Sequence, residues 1–142
     1  MDQNLPVELQ LSVVTPAREV AREKVKGVTV PGKGGYLGIL PGHAPLLSEL
    51  QAGELSYVHN GSAEFMALSR GFVEVLPERV IVLAEAVERA EEIDVARAEQ
   101  AKERAEDRLR KITEPGVDRE RARAALDRAL TRLAVAARAH HL

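Results

Sequence analysis

Glycine, proline and aromatic residues all but end near residue 85. Residues 1–84 of the 142-residue chain hold nine of the ten glycines, six of the seven prolines and all four aromatics, Tyr36, Tyr57, Phe65 and Phe72. Residues 85–142 have no aromatic, and their only Gly and Pro are adjacent, at Pro115-Gly116. They carry 13 basic and 13 acidic side chains. Turn formers and rings suit short strands joined by tight bends, whereas a charged segment without them suits helix. The expected fold class is therefore α+β: an antiparallel β-sandwich over residues 1–87, then an antiparallel α-helical hairpin over residues 88–142.

Strand signals fill the first part. Val7 to Val13 alternates apolar and polar residues with period two, and Val28 and Val30 resume that pattern after Gly27. Asn60-Gly61 separates Leu55–Val58 from Phe65–Leu68. Both turn residues accept positive φ, which predicts a tight hairpin there. Pro77-Glu78 separates Val73–Leu76 from Val80–Leu83 and predicts a second one. Short strands with turns about every 8–12 residues argue a sandwich or barrel with antiparallel pairing.

Helical spacing governs the rest. Ala98, Ala101, Ala105, Leu109 and Ile112 fall on one helix face, Pro115-Gly116 ends it, and Asp118 can cap a second helix. The stripe expected on that second helix is Ala122, Leu126, Leu130, Leu133 and Ala137. Burying an Ala methyl contributes about 0.8 kcal/mol, against about 1.5–3 kcal/mol for a Leu. Ala-rich stripes let the two helices approach closely but leave little apolar surface to hold the hairpin on the sandwich. Weak docking predicts two arrangements between which a ligand or partner can choose.

Several function classes are excluded or disfavoured. A net charge of −2 lacks the basic excess of a nucleic-acid binder. With no cysteine there is no disulfide, thiolate metal site or Cys nucleophile. No apolar run reaches the length of a membrane span, and Met1-Asp2-Gln3-Asn4 does not open like a secretory signal. Gly32-Lys33-Gly34-Gly35 lacks the spacing of a phosphate loop and reads as a turn. His59 reads as an exposed hairpin residue, and His140-His141 as a frayed end or an expression remnant. No catalytic motif is present.

The remaining histidine, His43, lies in Gly35-Tyr36-Leu37-Gly38-Ile39-Leu40-Pro41-Gly42-His43-Ala44-Pro45-Leu46-Leu47. Such a loop either displays Ile39, Leu40 and Leu46 at an edge or buries them in the core, which is the commoner fate of apolar residues. This segment closely resembles the signature of the epsilon subunits of F-type ATP synthases. The resemblance extends to Leu11–Pro16, Leu68–Val75, Val82–Glu85 and the helical hairpin, so it covers nearly the whole chain.

What the resemblance implies is a non-catalytic subunit of the central rotor stalk. Its sandwich would contact the gamma subunit and the ring of membrane c subunits, coupling ion translocation to ATP synthesis. Tyr36, Gly42 and His43 would face those partners. Some relatives have an acidic residue at the position of Tyr36, so an aromatic contact would replace an ionic one. The hairpin would switch between a form folded on the sandwich and an extended form that reaches the alpha/beta catalytic head and blocks ATP hydrolysis. In that extended form Arg119, Arg121, Arg123, Arg128 and Arg132 would meet acidic surfaces of the head. The resemblance further implies a peripheral protein on the cytoplasmic face of the inner membrane, associated with it only through the complex.

No cofactor is required, but ATP is implied as a regulatory ligand. Some relatives bind it through a pattern matched here by Ile93-Asp94-Val95-Ala96-Arg97-Ala98, with Glu88 preceding. Asp94 or Glu88 can accept from an adenine amino group or a sugar hydroxyl, and Arg97 with Arg123 or Arg128 can neutralise phosphates. The plainer reading makes Asp94 a helix cap and packs the Arg97 stem on the sandwich. Two other functions are open to the sequence. One is a free-standing ATP-sensing module using the hairpin without the motor. The other is a small enzyme in which His43 works with Glu49 or Glu54 as acid and base.

Overall fold

A computed structural model describes residues 6–139. Met1–Asn4 and His140-His141 lie outside the described residues. Ten strands come first: β1 (Leu9–Val14), β2 (Glu19–Val25), β3 (Val28–Gly32), β4 (Gly35–Ile39), β5 (Leu46–Leu50), β6 (Gly53–His59), β7 (Ser62–Leu68), β8 (Gly71–Leu76), β9 (Arg79–Ala84) and β10 (Val87–Arg89). A short 3-10 turn, Ala90–Glu92, leads into helices α1 (Val95–Arg110) and α2 (Arg119–Ala139).

The strands form one sheet in the order β10-β7-β6-β3-β5-β8-β9-β1-β2, with β4 branching off β3. Folded on itself, it makes two layers around one core. Every ladder is antiparallel except β1 with β9, which is parallel. Strand β1 lies between β9 and the edge strand β2, so it meets β9 after a long excursion of the chain, and no local pattern announces that pairing. Both expected hairpins are present. His59 pairs Ser62 across Asn60-Gly61, at φ 51° and 79°, and Leu76 pairs Arg79 across Pro77-Glu78.

Large apolar side chains fill the core. Leu9, Leu11, Val30, Ile39, Leu55, Met66, Val73, Val75, Val80 and Val82 are all buried, and no residue beyond Val87 joins this cluster. Gly71 permits a close approach within it: a Cβ there would lie 1.9 Å from the Leu83 carbonyl oxygen.

The helices pack on each other through Ala98, Ala105, Ala122 and Ala129, all buried. Asp94 caps α1, accepting from the Arg97 backbone N–H at 3.1 Å. Asp118 caps α2 in the same way, through the Arg121 N–H. The second stripe departs from expectation. Leu130 is 43% exposed and Ala137 faces solvent, while Val135 and Ala136 are buried. The cause is that α2 has two neighbours. One side meets α1, and a second side, rotated toward Val135, meets the sandwich. Ile112 falls past the end of α1, which stops at Arg110.

Candidate functional site

The hairpin rests on the outer face of β6 and β7 through a cluster separate from the main core. Val135 and Ala136, with Ala139 beside them, pack on Ala67, Ala90, Ile93 and Phe65. Polar clasps flank this contact. Arg132 donates to both carboxylate oxygens of Glu88 on β10, at 2.7 and 3.2 Å. Arg138 donates to both oxygens of Glu54 on β6, at 3.2 and 3.3 Å, and lies 5.0 Å from the centre of the Phe65 ring. Burial of Val135 contributes about 1.5 kcal/mol and each alanine methyl about 0.8 kcal/mol, so the side chains that α2 brings to this dock contribute about 3 kcal/mol.

A groove of about 480 Å³ opens between α1, α2 and β10. Arg97, Arg104 and Arg108 line it from α1, Arg128 and Arg132 from α2, and Glu88 from β10, over a floor of alanines. The helical repeat explains the convergence, since Arg97, Arg104 and Arg108 follow each other at i, i+7 and i+11 on one face. Arg128 and Arg132 stand at i and i+4 on the opposing helix.

Of the residues expected to bind ATP, Glu88, Arg97 and Arg128 share this groove. The others do not line it. Ile93 is buried in the dock, Ala98 is buried in the hairpin, and Asp94 carries the α1 cap. Arg123 projects elsewhere and pairs with Asp127 at 3.4 Å, because five residues of helix turn it about 140° from Arg128. Sequence reasoning missed Arg104 and Arg108 and did not place Arg132 here. The seven-residue step from Arg97 was the signal that could have found them.

The expected partner-facing residues do not form one loop. Tyr36 lies near the start of β4, where its hydroxyl accepts from the Glu54 N–H at 3.0 Å. Gly42 and His43 lie beyond the other end of that strand, with about 13 Å of extended chain between Tyr36 and Leu40 alone. There the Gly42 N–H donates to the Pro77 carbonyl at 2.7 Å, with Gly42 at φ 84°. His43 Nδ1 lies 2.7 Å from the Ala44 carbonyl oxygen. Neither acid proposed as its partner is joined to it: Glu49 pairs with Lys33 and Glu54 with Arg138. Ile39 enters the core, whereas Leu40 and Leu46 remain exposed, so the segment splits between the two fates considered for it.

The layer facing away from the hairpin carries the feature the sequence hid. Leu47 is 71% exposed, Phe72 52% and Leu83 51%. Phe72 sits directly across from Leu83 in the β8–β9 ladder, and Leu47 is diagonal to Phe72 on β5.

Family models match on both parts of the chain: the ATP synthase delta/epsilon chain beta-sandwich domain over residues 8–90 and its long alpha-helix domain over residues 91–137. The chain belongs to the ATP synthase delta/epsilon family. Its part there is the non-catalytic one of the epsilon chain. The ATP synthase epsilon chain of Trichlorobacter lovleyi is 47% identical over 132 residues, covering 93% of this chain and 96% of that one. The epsilon chain of Koribacter versatilis is 56% identical over 100 residues, 70% of each chain. Among solved structures, a chain of the Euglena gracilis mitochondrial ATP synthase (OSCP/F1/c-ring) matches with a TM-score of 0.79 at 25% identity, covering 89% of this chain and 80% of that one. Among the described residues, no helix is long and apolar enough to cross a membrane.

Proposed function

We propose that this chain is a rotor component in the central stalk of an F-type ATP synthase, coupling ion translocation to ATP synthesis and restraining ATP hydrolysis through its hairpin. The observation that carries this reading is the separation of the two apolar clusters. The sandwich core is complete without the helices, and the helices are held by a small alanine-rich dock. A body of that kind can stay fixed to a shaft while its arm moves. The exposed Leu47, Phe72 and Leu83 suit a permanent protein contact, and the gamma subunit with the c-ring is the partner that the stalk supplies. Released from the dock, α2 would turn its arginines, including Arg119, Arg121, Arg123, Arg128 and Arg132, toward the alpha/beta head. The site of action is then the cytoplasmic face of the inner membrane, reached through the complex.

ATP is the proposed regulatory ligand of the docked form, held by phosphate contacts to Arg97 and Arg128. An anion bridging α1 and α2 beside Glu88 favours the folded hairpin over the released one. Relatives named as ATP synthase epsilon chains match along more than nine-tenths of this chain, which favours the subunit over a free-standing sensor. The test is a complex assembled with a chain lacking residues 91–142. It should keep coupled ATP synthesis and show raised ATP hydrolysis. Unchanged hydrolysis would remove the braking role.

A further inference from the structure

Glu54, near the start of β6, takes part in two contacts of different kinds. Its carboxylate accepts from Arg138, in the last turn of α2, through both oxygens. Its backbone N–H donates to the Tyr36 hydroxyl on β4 at 3.0 Å. Its ladder partner on β7 is Ala67, one of the residues on which Val135 and Ala136 pack. The backbone position of Glu54 therefore sets both a polar clasp and part of the apolar seat of the hairpin.

The local sequence explains why a tyrosine hydroxyl serves there. Strands β3 and β6 pair at Val28 with Tyr57 and at Thr29 with Ser56, and the ladder stops. The same register would set Pro31 opposite Glu54. Proline has no N–H to give a neighbouring strand, and the Pro31 carbonyl already accepts from the Gln51 N–H at 2.9 Å. The Glu54 N–H is left for another acceptor. Tyr36 pairs with Pro31 across the β3–β4 ladder, and its side chain is long enough to carry a hydroxyl past the proline to β6. Gly53 keeps the way open, since a Cβ there would lie 2.5 Å from Pro31 Cβ and 2.9 Å from the Tyr36 hydroxyl oxygen.

We propose that Tyr36 is a positioning residue for the hairpin, linking the start of β4 to the dock through Glu54. The inference rests on the releasable hairpin proposed above. Tyr36 is 58% exposed, so a partner can reach it, whereas Glu54 is half-buried. A contact that draws the hydroxyl off the Glu54 N–H frees the start of β6. That loosens the Arg138 clasp and the Ala67 seat together and favours the released arm. The link is reciprocal: a docked arm holds Tyr36 more firmly than a released one.

Hydrogen exchange of the full chain, resolved by residue, tests this, because the Glu54 amide itself reports the bond. Tyr36→Phe should speed exchange of that amide about tenfold and of the α2 amides about threefold, with β1 and β9 unchanged. Arg138→Gln should speed the Glu54 amide about threefold in return. In the double variant the gain in α2 rates should fall short of the product of the two single effects. A freed Glu54 amide with unchanged α2 rates in Tyr36→Phe would show that the bond carries nothing to the hairpin and overturn the proposal. So would an unchanged Glu54 amide in Arg138→Gln, full multiplication of the effects in the double variant, or strand and helix amides sped alike by Tyr36→Phe. Amides of α2 and of the strands opening together in the wild-type chain would instead overturn the releasable hairpin itself.

Discussion

The sandwich and the hairpin dock are both apolar contacts, built from different sizes of side chain. The sandwich interior joins strands distant in sequence through leucines, valines and a methionine with no exposed surface, such as Leu11, Leu55, Met66 and Val75. The dock joins α2 to β7 and the 3-10 turn through Val135 and Ala136 on the helix against Ala67, Ala90, Ile93 and the partly buried Phe65, with arginine–carboxylate pairs at its margin. The smaller of the two apolar contacts is the one that the proposed release of the hairpin would break, leaving the sandwich core intact.

The comparison breaks most severely at Gly71. A Cβ placed 1.9 Å from the Leu83 carbonyl meets backbone that cannot rotate away. Gly71→Ala is expected to cost at least about 3 kcal/mol, read as a large drop in the urea midpoint of the whole domain. Leu11→Ala, which opens a cavity in the same core, should cost about 2–5 kcal/mol in that measurement. Val135→Ala removes the largest side chain that α2 contributes to the dock. It should cost about 1–2 kcal/mol, and the loss should appear only in probes on the helices. Arg132→Gln replaces a bidentate ion pair with one weaker hydrogen bond. About 1 kcal/mol is expected, again confined to hairpin release and smaller at high salt.

At neutral pH the smallest effect belongs to Tyr57→Phe. Burial, with the Glu23 carboxylate nearby, pushes the Tyr57 phenol up to about 12 from an ordinary 10.0. The folded state then keeps a proton that the unfolded state loses. Stability present below pH 10 should fall as pH rises from 10 toward 12. Thermal melts of the wild-type chain should show this alkaline decline in the sandwich, and the Phe variant should flatten it.

The local parts of this architecture were legible in the sequence, and the assembled parts were not. Asn60-Gly61 and Pro77-Glu78 specify their hairpins through the φ each residue tolerates, which needs no information from distant chain. Asp94 and Asp118 specify their helix starts for the same reason. The parallel β1–β9 pair depends on which strands happen to meet after some seventy residues, so period-two alternation is silent about it. The face of α2 was misjudged because a single stripe assumes one neighbour, whereas α2 has two, which brings Val135 inward and leaves Leu130 out. Glu88, Arg97 and Arg128 were identifiable as a charged set. Arg123, the alternative to Arg128, stands off the groove because nearness in sequence is not nearness in helical phase. Exposure of Leu47, Phe72 and Leu83 was hidden by the rule that apolar residues belong inside, a rule that does not hold for every apolar residue on a sheet face.

Native-state hydrogen exchange, resolved by residue, tests most directly whether the hairpin dock and the sandwich core open separately. If they do, the amides of α2 exchange through an opening that costs far less free energy than the one exposing β1 and β9, and Val135→Ala lowers the helix values while the strand values stay unchanged. Equal opening free energies in helix and strand, falling together in Val135→Ala, would show one cooperative unit and leave no releasable arm.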